Sequence, residues 1–163
     1  MQAASLADLT AFGSRLRRLL ERMDREVLGV YRAAGERFEP RWYGVFAALR
    51  DAGPLTVGEL SRRLGVTHAA VSQIRTALEA EGLIRGAADP RDGRRQSLSL
   101  TARGRETAAR LAPLWSAIAA AVGEILTEHA PTLSTDLDAL EQAIDRRGLA
   151  ARVSATLHPD LAG

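Results

Sequence analysis

Three arginines, Arg91, Arg94 and Arg95, crowd into the stretch Asp89-Pro90-Arg91-Asp92-Gly93-Arg94-Arg95. A guanidinium is a planar, permanently charged fork of N–H donors, and its geometry matches phosphate oxygens. Pro90 fixes one backbone angle and Gly93 permits another, so Asp89 to Gly93 reads as a hairpin tip. Behind it, Gln96-Ser97-Leu98-Ser99-Leu100 alternates with the period of a strand. Leu98 and Leu100 fall on one face, Ser97 and Ser99 on the other. The arginines therefore project from a β-ribbon anchored by a few leucines. Enzyme sites seldom need three guanidinium groups on an exposed tip. A surface that meets phosphates and enters a DNA minor groove does.

The second chemistry-bearing stretch lies just upstream, Leu60-Ser61-Arg62-Arg63-Leu64-Gly65-Val66-Thr67-His68-Ala69-Ala70-Val71-Ser72-Gln73. Thr56 and Glu59 have capping-box spacing and open a short helix over 57–64. Gly65 is placed as its left-handed C-cap. Thr67 caps the next helix, which runs through His68 and ends at Gly82. Two short helices joined by a tight Gly-Val turn give a helix-turn-helix. Leu60, Leu64, Val66, Val71, Ile74 and Leu78 make its inward face. Thr67, His68, Ala69, Ser72, Gln73, Arg75 and Thr76 are left pointing outward. Threonine, histidine, serine and glutamine suit base edges, and Arg75 suits phosphate or guanine. Read alone, the same residues also describe a helical hairpin with a polar solvent face. The arginine tip directly downstream favours DNA.

Composition narrows the classes. The chain has 163 residues, no cysteine and three histidines, and all 22 of its basic residues are arginine. Disulfides and thiolate–metal sites are excluded. His68, His129 and His158 are too far apart in sequence to suggest a metal site, and no cofactor is expected. The net charge of +2 conceals an asymmetry: residues 56–110 carry ten arginines against six acids, residues 111–163 three against seven. The basic excess is centred on the helix-turn-helix and the arginine tip, a modest footprint for nucleic acid. No apolar run reads as long enough to span a membrane, and the N-terminus lacks the pattern of a signal peptide. A cytoplasmic protein without membrane association is the expectation.

The remaining elements must hold these two stretches. Helical periodicity predicts a long helix over 6–33 and a second over 41–51, stopped by Ala52-Gly53-Pro54. Leu83 to Ala87 is the first wing strand and Gln96 to Leu100 the second. Thr101 opens a long helix to about His129. Pro131 breaks it, Ser134 caps a final helix, and Gly148 ends that helix before a tail. The fold class is mainly α (α+β), a winged helix-turn-helix with a two-stranded β-wing and long terminal helices. The expected organisation is 1–39, an N-terminal dimerisation helix; 40–101, the DNA-binding lobe; and 102–163, C-terminal dimerisation helices and tail. The helices at 6–33, 102–129 and 134–147 carry more apolar positions than one small winged domain can cover, which implies a partner.

The order of these elements, with Asp89-Pro90-Arg91 followed by Leu98-Ser99-Leu100-Thr101-Ala102-Arg103-Gly104, resembles the MarR family of regulators over about residues 6–147. The resemblance implies a homodimeric transcriptional regulator, usually a repressor, with one winged helix-turn-helix per subunit. By that analogy Arg91 is the minor-groove arginine and Asp89 the acid that orients the wing arginines. Arg94 and Arg95 then approach phosphates of double-stranded DNA at a pseudo-palindromic operator. The resemblance also implies a small aromatic or anionic effector. Arg41, Trp42, Tyr43 and Phe46 form a compact cationic and aromatic cluster. Trp42 and Phe46, one helical turn apart, share a face. That cluster is either such a pocket or packing between lobes.

Three functions are compatible with these residues. The first is a ligand-responsive, sequence-specific repressor. A ligand-independent architectural DNA binder and a winged-helix protein-interaction module are the alternatives. An enzyme is not expected, because no nucleophile, base and orienting group come together in the sequence.

Overall fold

The computed structural model describes residues 6–88 and 96–157. Its elements run α1 (Leu6–Ala33), a 3-10 turn (Pro40–Trp42), α2 (Tyr43–Ala52), β1 (Leu55–Thr56), α3 (Val57–Leu64) and α4 (His68–Ala80). After them come β2 (Ile84–Ala88), β3 (Gln96–Leu100), α5 (Ala102–His129), α6 (Leu133–Arg146) and α7 (Leu149–Leu157). Contacts divide the chain into two compact units, one ending at Pro113 and the other beginning at Leu114.

The helix-turn-helix forms for local reasons. Thr56 Oγ1 accepts from the Glu59 amide at 3.2 Å, and the Thr56 amide donates back to the Glu59 carboxylate at 2.7 Å. Gly65 closes α3 at φ 64°, a conformation in which a side chain is strained. Ser61, buried on α3, donates its hydroxyl to the Val66 carbonyl and closes the turn from within. Val66 itself is 40% exposed, so it is not part of the inward face expected for it. The turn is short, and the Ser61 bond holds the Val66 backbone rather than its side chain against the lobe. Thr67 accepts from the Ala70 amide at 3.2 Å and starts α4.

The wing is broader than the two strands expected. β3 is the central strand of an antiparallel sheet of order β1-β3-β2. Ile84 pairs with Leu100 and Ala88 with Gln96, while Leu55 and Thr56 cover the other edge of β3 opposite Leu98 and Ser97. That third strand buries Thr56 and Ser97 as well as Leu98. A two-residue strand carries almost no period-2 signal, which is why the sequence does not announce it.

The core of the first unit has an aromatic centre. The Phe38 ring meets Tyr31, Trp42 and Phe46 edge-on, with centroids 5.3, 5.6 and 5.3 Å apart. Edge-to-face contacts of this kind add to the stabilisation from burial alone. Val45, Leu49, Leu60, Val71, Leu78, Leu98 and Leu111 fill the remainder.

The second half of the chain departs from expectation at three places. Ser134 lies inside α6, and Thr132 stands at its start, bonded through its hydroxyl to Asp136. The chain continues past Gly148 as α7 rather than ending its helices there. α5 contains a window of mean hydropathy 1.3 that is apolar and long enough to cross a membrane, although the sequence pattern suggests no run of that length. Its many alanines raise hydropathy without the bulk that marks a span to the eye. The window is only 11% buried within one chain.

Candidate nucleic-acid interface

On α4, Ala69, Ser72, Gln73 and Thr76 are all exposed. They recur at i, i+3, i+4 and i+7 and so share one face. That face offers an amide, two hydroxyls and a methyl, the groups that read base edges in a major groove. Thr76 donates its hydroxyl to the Ser72 carbonyl at 3.1 Å, which leaves its oxygen lone pairs and methyl to face outward. Thr67 uses its oxygen as the helix cap, and its hydroxyl hydrogen remains a donor. His68 is exposed and its ring sits over Gly58 of α3, where a Cβ would come within 3.6 Å of the imidazole.

Arg75, expected as a phosphate or guanine contact, is turned elsewhere. Its Nε donates to Glu79 at 3.0 Å, one helical turn on, and its Nη2 donates to the Gln96 side chain at 3.3 Å. It is the half-buried member of the outward set, with 29% of its side chain exposed.

The wing is rooted in the same unit. Thr101 donates its hydroxyl to the Gly82 carbonyl at 2.7 Å and accepts from the Gly104 amide at 3.0 Å. One side chain thus ties the end of the helix-turn-helix to the start of α5. Ala88 and Gln96 pair at the ends of β2 and β3, so the chain between them connects adjacent strand ends. Asp89, Arg91, Arg94 and Arg95 lie outside the described residues.

Residues 38–95, the aromatic centre through the wing, match the MarR family. Over that stretch the chain is similar to the MarR family, and the unit that holds it folds as a winged helix. No curated protein matches it in sequence. Among solved structures, a cysteine-to-serine mutant of MarR from E. coli, complexed with operator DNA, has a TM-score of 0.66 at 17% identity, over 86% of this chain and 99% of that one. BpsR of Bordetella bronchiseptica, whose DNA binding is regulated by 6-hydroxynicotinic acid, has 0.65 at 19%, over 88% and 98%. PcaV of Streptomyces coelicolor, in complex with its natural ligand, has 0.64 at 23%, over 89% and 98%. Likeness at these identities is likeness of fold, a winged helix.

The residues expected to bind an effector divide between the core and the surface of this lobe. Trp42 and Phe46 are buried in the core around Phe38, Tyr43 is 41% exposed, and Arg41 is exposed and paired with Glu39 at 2.6 Å. Arg41 and Trp42 fall in a 3-10 turn that runs directly into α2 at Tyr43. A cleft of about 830 Å³ lies elsewhere in the same unit, between the end of α2, the sheet and the first half of α5. Leu49, Leu100, Ala108 and Ala112 give it apolar walls, and Arg50, Arg85 and Arg105 give it cations. Arg50 also pairs with Asp51 at 2.6 Å. The bond from Arg50 lowers the Asp51 carboxyl pKa, and the same bond raises that of Arg50. Arg105 donates to the Leu100 carbonyl at 3.0 Å. No motif in the sequence singles out Arg85 or Arg105. Each sits singly among unrelated residues, and only the pairing of β2 with β3 against α5 brings them together.

Among the described residues no three of His, Asp and Glu gather as a metal site requires. Large apolar side chains remain exposed in both units: Phe12, Leu16, Leu19, Leu20 and Met23 along α1, and Ile125, Leu140, Ile144, Leu149 and Leu157 along the C-terminal helices.

Proposed function

We propose that the protein is a homodimeric, sequence-specific DNA-binding repressor whose affinity for its operator responds to a small anionic ligand. The observation that carries DNA binding is the exposed Ala69, Ser72, Gln73 and Thr76 face, on a capped helix held against a sheet whose strands β2 and β3 are joined in sequence by an arginine-rich stretch. The face reads base edges, and Arg91, Arg94 and Arg95 supply minor-groove and phosphate contacts. The operator complex of the E. coli relative supports the reading. A cytoplasmic location accords with work on DNA.

The dimer rests on the exposed apolar stripes of α1 and the C-terminal helices. Patches of that extent mark protein contact surfaces. A two-fold axis would place two α4 helices in successive major grooves, about 34–36 Å apart, on a pseudo-palindrome.

Ligand response rests on the three-arginine cleft rather than on the Trp42 cluster. An apolar wall with guanidinium groups at its rim suits a flat carboxylate. A ligand there touches Arg85 of β2 and Arg105 of α5 together, so it favours whichever spacing of sheet and helix it fits. It acts only through that difference in affinity. The ligands of BpsR and PcaV accord with a small-molecule effector.

Titration of duplex DNA at several salt concentrations tests the DNA reading. With phosphate contacts dominant, log K falls with log salt by about 0.9 per phosphate neutralised. A flat response would exclude the arginine tip from binding.

A further inference from the structure

Arg75 lies on the recognition helix α4, yet its guanidinium is committed to the root of the wing. Nε holds Glu79 at 3.0 Å, and Nη2 reaches Gln96, the first residue of β3, at 3.3 Å. Gly86 of β2 makes the slot: a Cβ there would come within 3.2 Å of Arg75 Nη2 and 3.5 Å of Glu79 Oε1. The guanidinium thus seats on one wing strand and bonds to the other. Gln96 pairs with Ala88 at the last rung of the β2–β3 ladder, and the arginine-rich stretch joins the two in sequence. Ser72 and Thr76, three residues before Arg75 and one after, stand on the reading face of the same helix.

We propose that Arg75 is a positioning residue, a latch that fixes the wing root to the recognition helix so that both enter their grooves in register. It is not itself a DNA contact. A reader of phosphate needs a free fork. This fork is divided between a carboxylate and an amide, and a glycine keeps room for it. Lysine is a poor substitute, because a single ammonium has no planar fork to bridge Glu79 and Gln96 across Gly86.

The latch predicts an effect without DNA. In the free protein, Arg75→Ala and Gln96→Ala each speed hydrogen exchange at the amides of Gly86, Ala88 and Ser97, while those of Val71 to Leu78 are unchanged. Unchanged exchange in the wing root of both variants would overturn the proposal. Gln96 is exposed, so its variant keeps the test decisive should Arg75→Ala fold poorly.

With DNA, which rests on the function proposed above, Arg75→Ala weakens binding about tenfold, the scale of a charge-assisted hydrogen bond. That loss shrinks to less than about twofold once Arg91, Arg94 and Arg95 are alanines, because there is then no tip to position. The salt slope is unchanged by Arg75→Ala. Additive losses, with the slope falling by about 0.9, would make Arg75 a phosphate contact and overturn the latch. Failure of the wild type to bind DNA would defeat the functional reading alone, and the exchange measurement would still decide the latch.

Discussion

Gly104 lies so close to Leu83 that a Cβ on it would fall 2.1 Å from the Leu83 carbonyl oxygen. The same carbonyl accepts from the Thr101 amide at 3.0 Å. The start of α5 is therefore docked backbone-to-backbone against the residue that immediately precedes β2. Gly104→Ala should destabilise the fold by at least about 3 kcal/mol, the upper end for overpacking, because the obstacle is backbone and cannot rotate away. Gly123→Ala, further along the same helix in open space, should be neutral or stabilising by up to about 1 kcal/mol. Urea denaturation of both variants checks the contrast. Equal effects would mean that α5 is not docked this way.

The aromatic centre predicts a second contrast. Phe38→Ala removes a ring that three others meet edge-on, and should cost about 3–5 kcal/mol. Trp42→Phe should cost far less. The Trp42 indole N–H is buried with no hydrogen-bond partner among the described residues, so its removal relieves a penalty of about 1–3 kcal/mol that offsets the lost area. Thermal unfolding of the two variants decides. A Trp42→Phe loss as large as that of Phe38→Ala would show that the N–H has a partner after all.

Much of this arrangement is legible in the chain. Thr56 with Glu59, Gly65 and Thr67 are local signals, complete within one helical turn, and each has the role its type and spacing predict. Leu98 and Leu100 are buried as their period demands. The features that escape the sequence depend on pairing across distance. Arg75 looks like a DNA contact because its position on α4 faces outward, and only the β2–β3 register brings Gln96 and Gly86 beneath it. Trp42 and Phe46 look like a ligand face because they are one turn apart, but both are buried in the core against Phe38. Thr132 and α7 are hard to foresee because Pro131 and Gly148 mark breaks in the helices without specifying the conformation of the residues beyond them.

Glu36 and Arg110 give a pH-dependent prediction. Arg110 bonds the carboxylate at 2.6 and 3.0 Å and draws the Glu36 pKa below its ordinary value. A carboxyl whose folded pKa is depressed stabilises the fold above its unfolded pKa, and the gain is lost as pH falls through the folded value. Arg110→Ala should therefore lower the urea midpoint at neutral pH, and the gap to wild type should close as pH drops from about 5 toward 2. The pair is partly exposed, so the effect is small. A gap that does not depend on pH would assign the loss to packing.

The arginine cleft predicts ligand behaviour. Benzoate or a hydroxybenzoate should release the protein from DNA, and Arg85→Ala should abolish release while leaving DNA affinity within about twofold. Fluorescence anisotropy with labelled duplex reads both. Undiminished release from Arg85→Ala would move the effector site away from this cleft.

Arg91→Ala should weaken DNA binding and leave the dimer intact by sedimentation. Gln73→Ala should instead relax base preference at one position, by about 1–3 kcal/mol of discrimination. Competition between duplexes that differ at single base pairs separates the two. Equal losses on every sequence from Gln73→Ala would remove it from the reading face.

This winged helix should read DNA sequence. The most direct test is to pass fragmented genomic DNA over the purified protein at moderate salt and sequence the fragments retained. The expected result is a short pseudo-palindrome, its half-sites about one helical turn apart. Retention of all fragments alike, or of none, would contradict it.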